Sequence, residues 1–131
     1  MGPAGAARGP VRVLAVDDQP IVLRALRQLI AATPGFELAG QAQSGPEAIA
    51  LAMRLQPDLV LLDVRMPEMD GIEAARCLLA DVPSTTIVLI SLEPLPEAEA
   101  VLNLGVAAFL RKQELAVRTL KAVWAEHGAR V

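Results

Sequence analysis

Leu59-Val60-Leu61-Leu62-Asp63-Val64-Arg65-Met66-Pro67-Glu68-Met69-Asp70-Gly71 reads as a buried strand that ends on a carboxylate and leads into a helix. Its first four residues form an unbroken apolar run, the pattern of a strand covered on both faces. Asp63 closes that run. A carboxylate at the end of an apolar strand faces dehydration unless something pairs with it. Gly71 precedes a helical run over 72–80, and Pro83 closes it.

Working outward, four more runs of strand length lie at 11–16, 37–42, 86–90 and 107–110. Four of the five runs are near-continuously apolar. The stretches between them have helical spacing: Val22, Leu26, Leu29 and Ile30 share one face, with Arg24, Arg27 and Gln28 largely off it. Pro20 suits the first turn of that helix, and Pro34-Gly35 stops it. Ser44-Gly45-Pro46-Glu47 has capping-box spacing for a second helix, ended by Pro57. Pro96, Glu97 and Glu99 start a fourth helix, with Gly105 as its left-handed cap. Residues 113–127 read as a last helix, with Leu120, Val123, Trp124 and His127 on one stripe and Gly128 ending it. Strands alternating with helices in this way predict right-handed crossovers and a parallel sheet covered on both faces. The fold class is therefore α/β, a single three-layer sandwich of five strands and five helices over 11–131, behind a flexible N-terminal tail at 1–10.

Composition limits the function classes. The chain has 131 residues, one domain's length, with 53% apolar and 21% charged residues, a globular balance. Twelve basic against 15 acidic residues leave a net charge of −3, so nothing draws the chain to nucleic acid or an anionic membrane. No apolar run reaches membrane-spanning length. A single cysteine, Cys77, excludes an intrachain disulfide and a cysteine zinc site and fits a reducing cytoplasm. A single histidine, His127, excludes a multi-histidine metal cluster. Aromatic residues are only 2%, too few for a stacking platform for single-stranded nucleic acid.

In an open parallel sheet, ligands bind beyond the carboxyl ends of the strands, where the strand order reverses. Asp17 and Asp18 follow the first strand, Asp63 closes the third, Ser91 follows the fourth and Lys112 the fifth. Three carboxylates on one edge repel one another, and a divalent cation resolves the conflict. Mg²⁺, which takes one or two carboxylates plus waters and a phosphate oxygen, matches a phosphate-handling site. A carboxylate can also attack phosphorus to form an aspartyl phosphate, with metal and lysine neutralising the transferred group and a serine hydroxyl donating to it. The plain alternatives are a turn and helix cap for Asp17-Asp18, a solvated Lys112 and a turn serine at 91. The joint placement at four strand ends favours the site.

The sequence resembles the response-regulator receiver domain of bacterial two-component signalling, from about Val11 to Gly128. The resemblance rests on Val16-Asp17-Asp18, the stretch from Leu61 to Gly71, Ser91 after Ile87-Val88-Leu89-Ile90, and Phe109-Leu110-Arg111-Lys112. It implies a flavodoxin-like strand order 2-1-3-4-5 and a phosphoryl group accepted on Asp63 from a histidine kinase or phosphotransfer protein. It implies that Asp17 and Asp18 organise Mg²⁺, Asp18 more directly, with Asp63 and the Arg65 carbonyl completing the protein's share of the shell. Lys112 would pair with Asp63 and later with its phosphoryl group. Ser91 would be drawn toward that group, with Phe109 rotating inward behind it. The output would be a repacked surface of the fourth helix, fifth strand and fifth helix. Glu97 and Glu99 facing Arg118 and Lys121 would let two copies pair there. Met66-Pro67 and Gly71 read as loop-shaping residues, and Trp124 and Cys77 as packing residues.

Three departures qualify the resemblance. Leu92 stands where the family usually has a small residue and would shield the phosphoryl site. Pro94 and Pro96 would stiffen the loop that moves with Ser91. The chain from Asp63 to Ser91 is slightly shorter than usual. The expected function is a phosphorylation-dependent signalling switch, not an enzyme beyond phosphoryl transfer to and hydrolysis from its own aspartate. It would be either a stand-alone receiver, as the start at Met1 without a tag suggests, or the receiver of a DNA-binding transcription factor, with no nucleic-acid contact from these residues. A phosphorylation-independent interaction module is the alternative. An aspartyl-phosphate phosphatase needs an aspartate two residues after the nucleophile, where this chain has Arg65.

Overall fold

The computed structural model describes residues 9–128. Most of the expected tail, 1–8, and the last three residues of the expected domain, 129–131, lie outside the described residues. The elements are β1 (Val11–Val16), α1 (Pro20–Ala31), β2 (Phe36–Ala42), α2 (Gly45–Leu55), β3 (Leu59–Asp63), α3 (Gly71–Asp81), β4 (Thr86–Ser91), α4 (Ala98–Leu102), β5 (Ala108–Arg111) and α5 (Val117–His127). The sheet is parallel throughout, in the order β2-β1-β3-β4-β5. The chain runs outward from β1 to β2 and then crosses to β3, so the strand order reverses between β1 and β3, where a ligand crevice forms.

Alternate residues of each strand feed opposite faces. Leu14, Val16, Val60, Leu62, Ile87 and Leu89 pack under α2, α3 and α4 with Ala48, Ala52, Ala74, Ala75, Leu78 and Val101. Val13, Ala15, Leu59, Leu61, Val88 and Ile90 pack under α1 and α5 with Leu23, Leu26, Ile30 and Leu120. This two-sided cover is why β3 is buried at every position, while the edge strands β2 and β5 stay partly open. Small alanines on α2 and α3 let those helices approach the sheet closely. Arg12 ties the lower end together: its guanidinium donates to the Leu55 and Gln56 carbonyls at 2.8 and 3.1 Å, and its amide donates to Asp58 at 2.9 Å.

Several predicted boundaries shift. Phe36 joins β2, which begins one residue before the expected 37. Asp63 and Ser91 are the last residues of β3 and β4, and β5 runs over 108–111 instead of 107–110. The last helix does not begin at 113. Residues 112–114 form a single 3₁₀ turn, Leu115 is extended, and α5 starts at Val117. The turn is held locally: the Arg111 amide donates to Glu114 Oε1 at 2.8 Å, and the Thr119 hydroxyl donates to the Glu114 carbonyl at 2.8 Å. The fourth helix is reduced to five residues, with Glu97 at its N-cap position making no side-chain cap bond and Asn103 as its C-cap. Gly105 has the expected positive φ, +115°, but stands two residues past the cap. Pro94 and Pro96 keep the segment before α4 non-helical.

Candidate functional site

Each strand of the central three ends beside the crevice, and each end residue is fixed by the backbone. The Asp17 amide donates to the Ala42 carbonyl at 3.1 Å, extending the β1–β2 ladder by one residue and leaving the Asp17 carboxyl wholly buried. Its Oδ1 accepts from the Gln19 amide at 2.9 Å, an Asx turn that redirects the chain into α1, where Pro20 needs no amide partner. The expectation of a turn for Asp17-Asp18 is thus met by the same residue that enters the site.

Asp63 is 3% exposed. The next amide, of Val64, donates to the Ile90 carbonyl at 3.0 Å, which keeps the Asp63 side chain at the crevice. Gly71 then returns the chain: its amide donates to the Val64 carbonyl at 2.7 Å. A β-carbon at Gly71 would overlap the Asp63 carbonyl oxygen, so the loop closes only with glycine there. Asp70 caps α3, its Oδ1 accepting from the Glu73 amide at 2.9 Å. That cap was legible in the spacing Asp70-Gly71-Ile72-Glu73, which the sequence reading passed over.

Lys112, the first residue after β5, reaches both buried carboxylates. Its Nζ lies 2.6 Å from Asp17 Oδ2 and 3.3 Å from Asp63 Oδ1. The expected contact with Asp63 is present, but the shorter one is to Asp17, which the sequence did not indicate as a partner. The Arg65 amide also donates to Asp63 Oδ1, at 3.3 Å. Asp63 Oδ2 has no hydrogen-bond partner among the described residues, and neither does Asp18, which is partly exposed. Burial, then the neighbouring Asp17 charge, push Asp63 up from 3.8 to about 6, against the opposing pull of Lys112 and the Arg65 amide. Burial alone would lower Lys112. Its hydrogen bond to Asp17 and the charges of Asp63 and Asp17 outweigh that and hold it above its ordinary value.

One carboxylate oxygen each from Asp17, Asp18 and Asp63 lie within 4.8 Å of one another. This all-oxygen set, with the Asp18 carboxylate and Asp63 Oδ2 unpartnered among the described residues and Asp63 raised by burial and then by the Asp17 charge, fits a hard divalent cation. Ser91, the last residue of β4, is buried, and its Oγ accepts from the Glu93 amide at 3.2 Å. Phe109 on β5 is half-buried against the α2–α3–α4 layer. Leu92 does not close over the site: it is 55% exposed and lines an apolar groove of about 390 Å³ with Ile21, Val22 and Leu115, beside Lys112. Its carbonyl accepts from Arg111 Nη2 and Gln113 Nε2, both at 3.4 Å, two tethers that nothing in the sequence announced. Leu95, between the two prolines, is buried in the core, whereas Pro94 and Pro96 are exposed.

The family model for the response regulator receiver domain matches residues 13–123, and the chain belongs to that family. The response regulator GacA of Pseudomonas viridiflava is 38% identical over 103 residues, 78% of this chain and 48% of that protein. A protein-glutamate methylesterase/protein-glutamine glutaminase of Myxococcus xanthus is 38% identical over 105 residues, 79% of this chain and 30% of that protein. The chain thus spans about a third to a half of the curated relatives it matches. Among solved structures, the signal receiver domain of NarL from Mycobacterium tuberculosis superposes with a TM-score of 0.84 at 31% identity, covering 93% of this chain and 99% of that one. This is a receiver domain of two-component signalling with the predicted strand order. No helix among the described residues is long and apolar enough to cross a membrane.

Proposed function

We propose that this receiver accepts a phosphoryl group on Asp63 in a Mg²⁺-dependent reaction and signals through the loop and strand that carry Ser91 and Phe109. The observation that carries the proposal is the meeting of Asp17, Asp18, Asp63 and Lys112 at the carboxyl ends of β1, β3 and β5. Asp18, Asp63 and the Arg65 carbonyl are the protein's ligands for the cation. Asp17, with both oxygens engaged by Gln19 and Lys112, holds the lysine in place and supplies charge. When bound, Mg²⁺ neutralises charge on the phosphoryl oxygens as they pass to the acceptor.

An Asp63 oxygen attacks phosphorus; the O–P bond forms as the donor's N–P bond breaks, and the electron pair stays on the donor histidine's nitrogen. Lys112 Nζ already lies within reach of Asp63 and offsets the charge brought in. Ser91 Oγ accepts from the Glu93 amide, which leaves its own proton free to donate to a phosphoryl oxygen. The donor is a histidine kinase or phosphotransfer protein, and the compartment is the cytoplasm. Beyond this self-directed chemistry the chain has no turnover of its own. The segment 11–131 is the receiver and 1–10 a tail. A second copy docks through α4, β5 and α5, where Glu97 and Glu99 face Arg118 and Lys121. The relatives keep their receivers within longer chains, so the output of this one through a further domain is part of the same proposal.

The test is intact mass after incubation with acetyl phosphate and Mg²⁺. One added phosphoryl group is expected on the wild type and none on Asp63→Ala or on a metal-free sample. A folded, unmodified wild type would instead favour the interaction module that has kept the site without the reaction.

A further inference from the structure

We propose that Gly45 and Met69 are positioning residues through which the start of α2 holds the cation-binding loop in shape, although α2 supplies no ligand. The proposal rests on the reading of Asp63 and the Arg65 carbonyl as cation ligands.

The loop between β3 and α3 is fixed at both ends, where the Gly71 amide meets the Val64 carbonyl at 2.7 Å. Its middle needs another anchor. Glu68 has φ +70°, a left-handed backbone that a residue with a side chain adopts only under compulsion, and the Met69 amide closes a tight turn onto the Pro67 carbonyl at 2.7 Å. That single bond is the turn's only local hydrogen bond among the described residues. Met69 is pressed against the first residue of α2: a β-carbon built on Gly45 would lie 2.8 Å from Met69 Sδ, 2.9 Å from Cγ and 3.0 Å from Cβ. The first two are closer than real β-carbons come and the third is tight, and they run along the stem of the side chain, so a turn of its methyl tip alone would not clear them. The φ of Gly45 is not positive, so this glycine is there for space and not for conformation. The N-cap Ser44, accepting from the Glu47 amide at 3.2 Å, seats the helix start that forms the notch. Met69 in the notch keeps the strained turn at Glu68. That turn sets where the Arg65 carbonyl sits relative to Asp63.

Alanine is a better helix former than glycine, so a role limited to α2 makes Gly45→Ala neutral or stabilising. Acting through Met69, the same change weakens the cation site. The experiment measures Mg²⁺ affinity by calorimetry, melting temperature, and amide shifts of residues 64–70 in the metal-free protein. Gly45→Ala and Met69→Ala should each lower Mg²⁺ affinity by roughly ten-fold, the low end of outer-shell effects. Both should displace the loop amides before any metal is added. The double variant should be little worse than Met69→Ala alone, because the added methyl then meets only Cβ, at 3.0 Å, and no longer Cγ or Sδ. Met69→Leu should restore most of the affinity. Wild-type affinity in both single variants, or losses that simply add, would overturn the proposal while leaving the phosphoacceptor reading intact. A wild type that binds no Mg²⁺ would remove that reading, and this inference with it.

Discussion

Burial and the Asp17 carboxylate make Asp63 reluctant to ionise, and Lys112 and the Arg65 amide recover only part of the loss. The unfolded chain titrates Asp63 near its ordinary 3.8, the folded metal-free chain near 6. Between those values the folded state holds a proton that the unfolded state has released. This group therefore adds stability as pH falls through 6 toward 4 and subtracts it above 6. Asp63→Asn should raise stability at pH 7 by about 1–2 kcal/mol after allowance for solvent at the crevice mouth, and flatten that pH dependence. Urea denaturation at pH 5 and pH 7 checks both. Lys112→Gln works the other way, leaving two buried carboxylates without their cation, and should destabilise by roughly 2–4 kcal/mol at pH 7. Its loss should shrink at pH 5, because Asp63 can then stay protonated. Leu92 tests access to the site. Its side chain lies exposed beside Lys112 and not over Asp63, so Leu92→Ala should leave the decay of the phosphoryl group within about two-fold of wild type, and a many-fold faster decay would restore the shielding idea.

The caps and turns at the ends of elements explain what could be read ahead of the structure. Strands β1, β3 and β4 were legible because two-sided burial demands unbroken apolar runs, and α2 because Ser44 and Glu47 stand at capping distance. Three carboxylates, a serine and a lysine at strand ends were legible for the same reason: once the strands are placed, their ends are placed. The late start of α5 was not, because Glu114 satisfies the Arg111 amide through a side chain that helical periodicity does not register. The preference of Lys112 for Asp17 depends on a fraction of an ångström and has no sequence signal. Asp70 was missed although its spacing was visible. Asp70→Ala should cost about 1 kcal/mol by thermal melting, with Asp70→Ser retaining most of it. The two carbonyl tethers on Leu92 and the prolines at 94 and 96 hold one loop from both sides. Amide exchange in residues 92–97 should quicken in Arg111→Ala.

One of the two packed layers joins Val64 and Met66, next to the acceptor, to Phe109, so a change at one biases the other. A cation held by the folded chain but not by the unfolded one stabilises the whole molecule. Mg²⁺ at ten times its dissociation constant should add about 1.4 kcal/mol, a rise of a few degrees in melting temperature that Asp18→Ala abolishes. The central claim is that the carboxylate edge takes a phosphoryl group and passes its presence to the Ser91–Phe109 side. The most direct measurement is the amide spectrum of the labelled protein on adding beryllofluoride, a phosphoryl mimic, together with Mg²⁺. Shifts are expected at Asp17, Asp63 and Lys112, extending along 91–97 into β5 and α5, and absent in Asp63→Ala. Shifts confined to the carboxylate edge would contradict the coupling, and an unchanged spectrum would contradict the site itself.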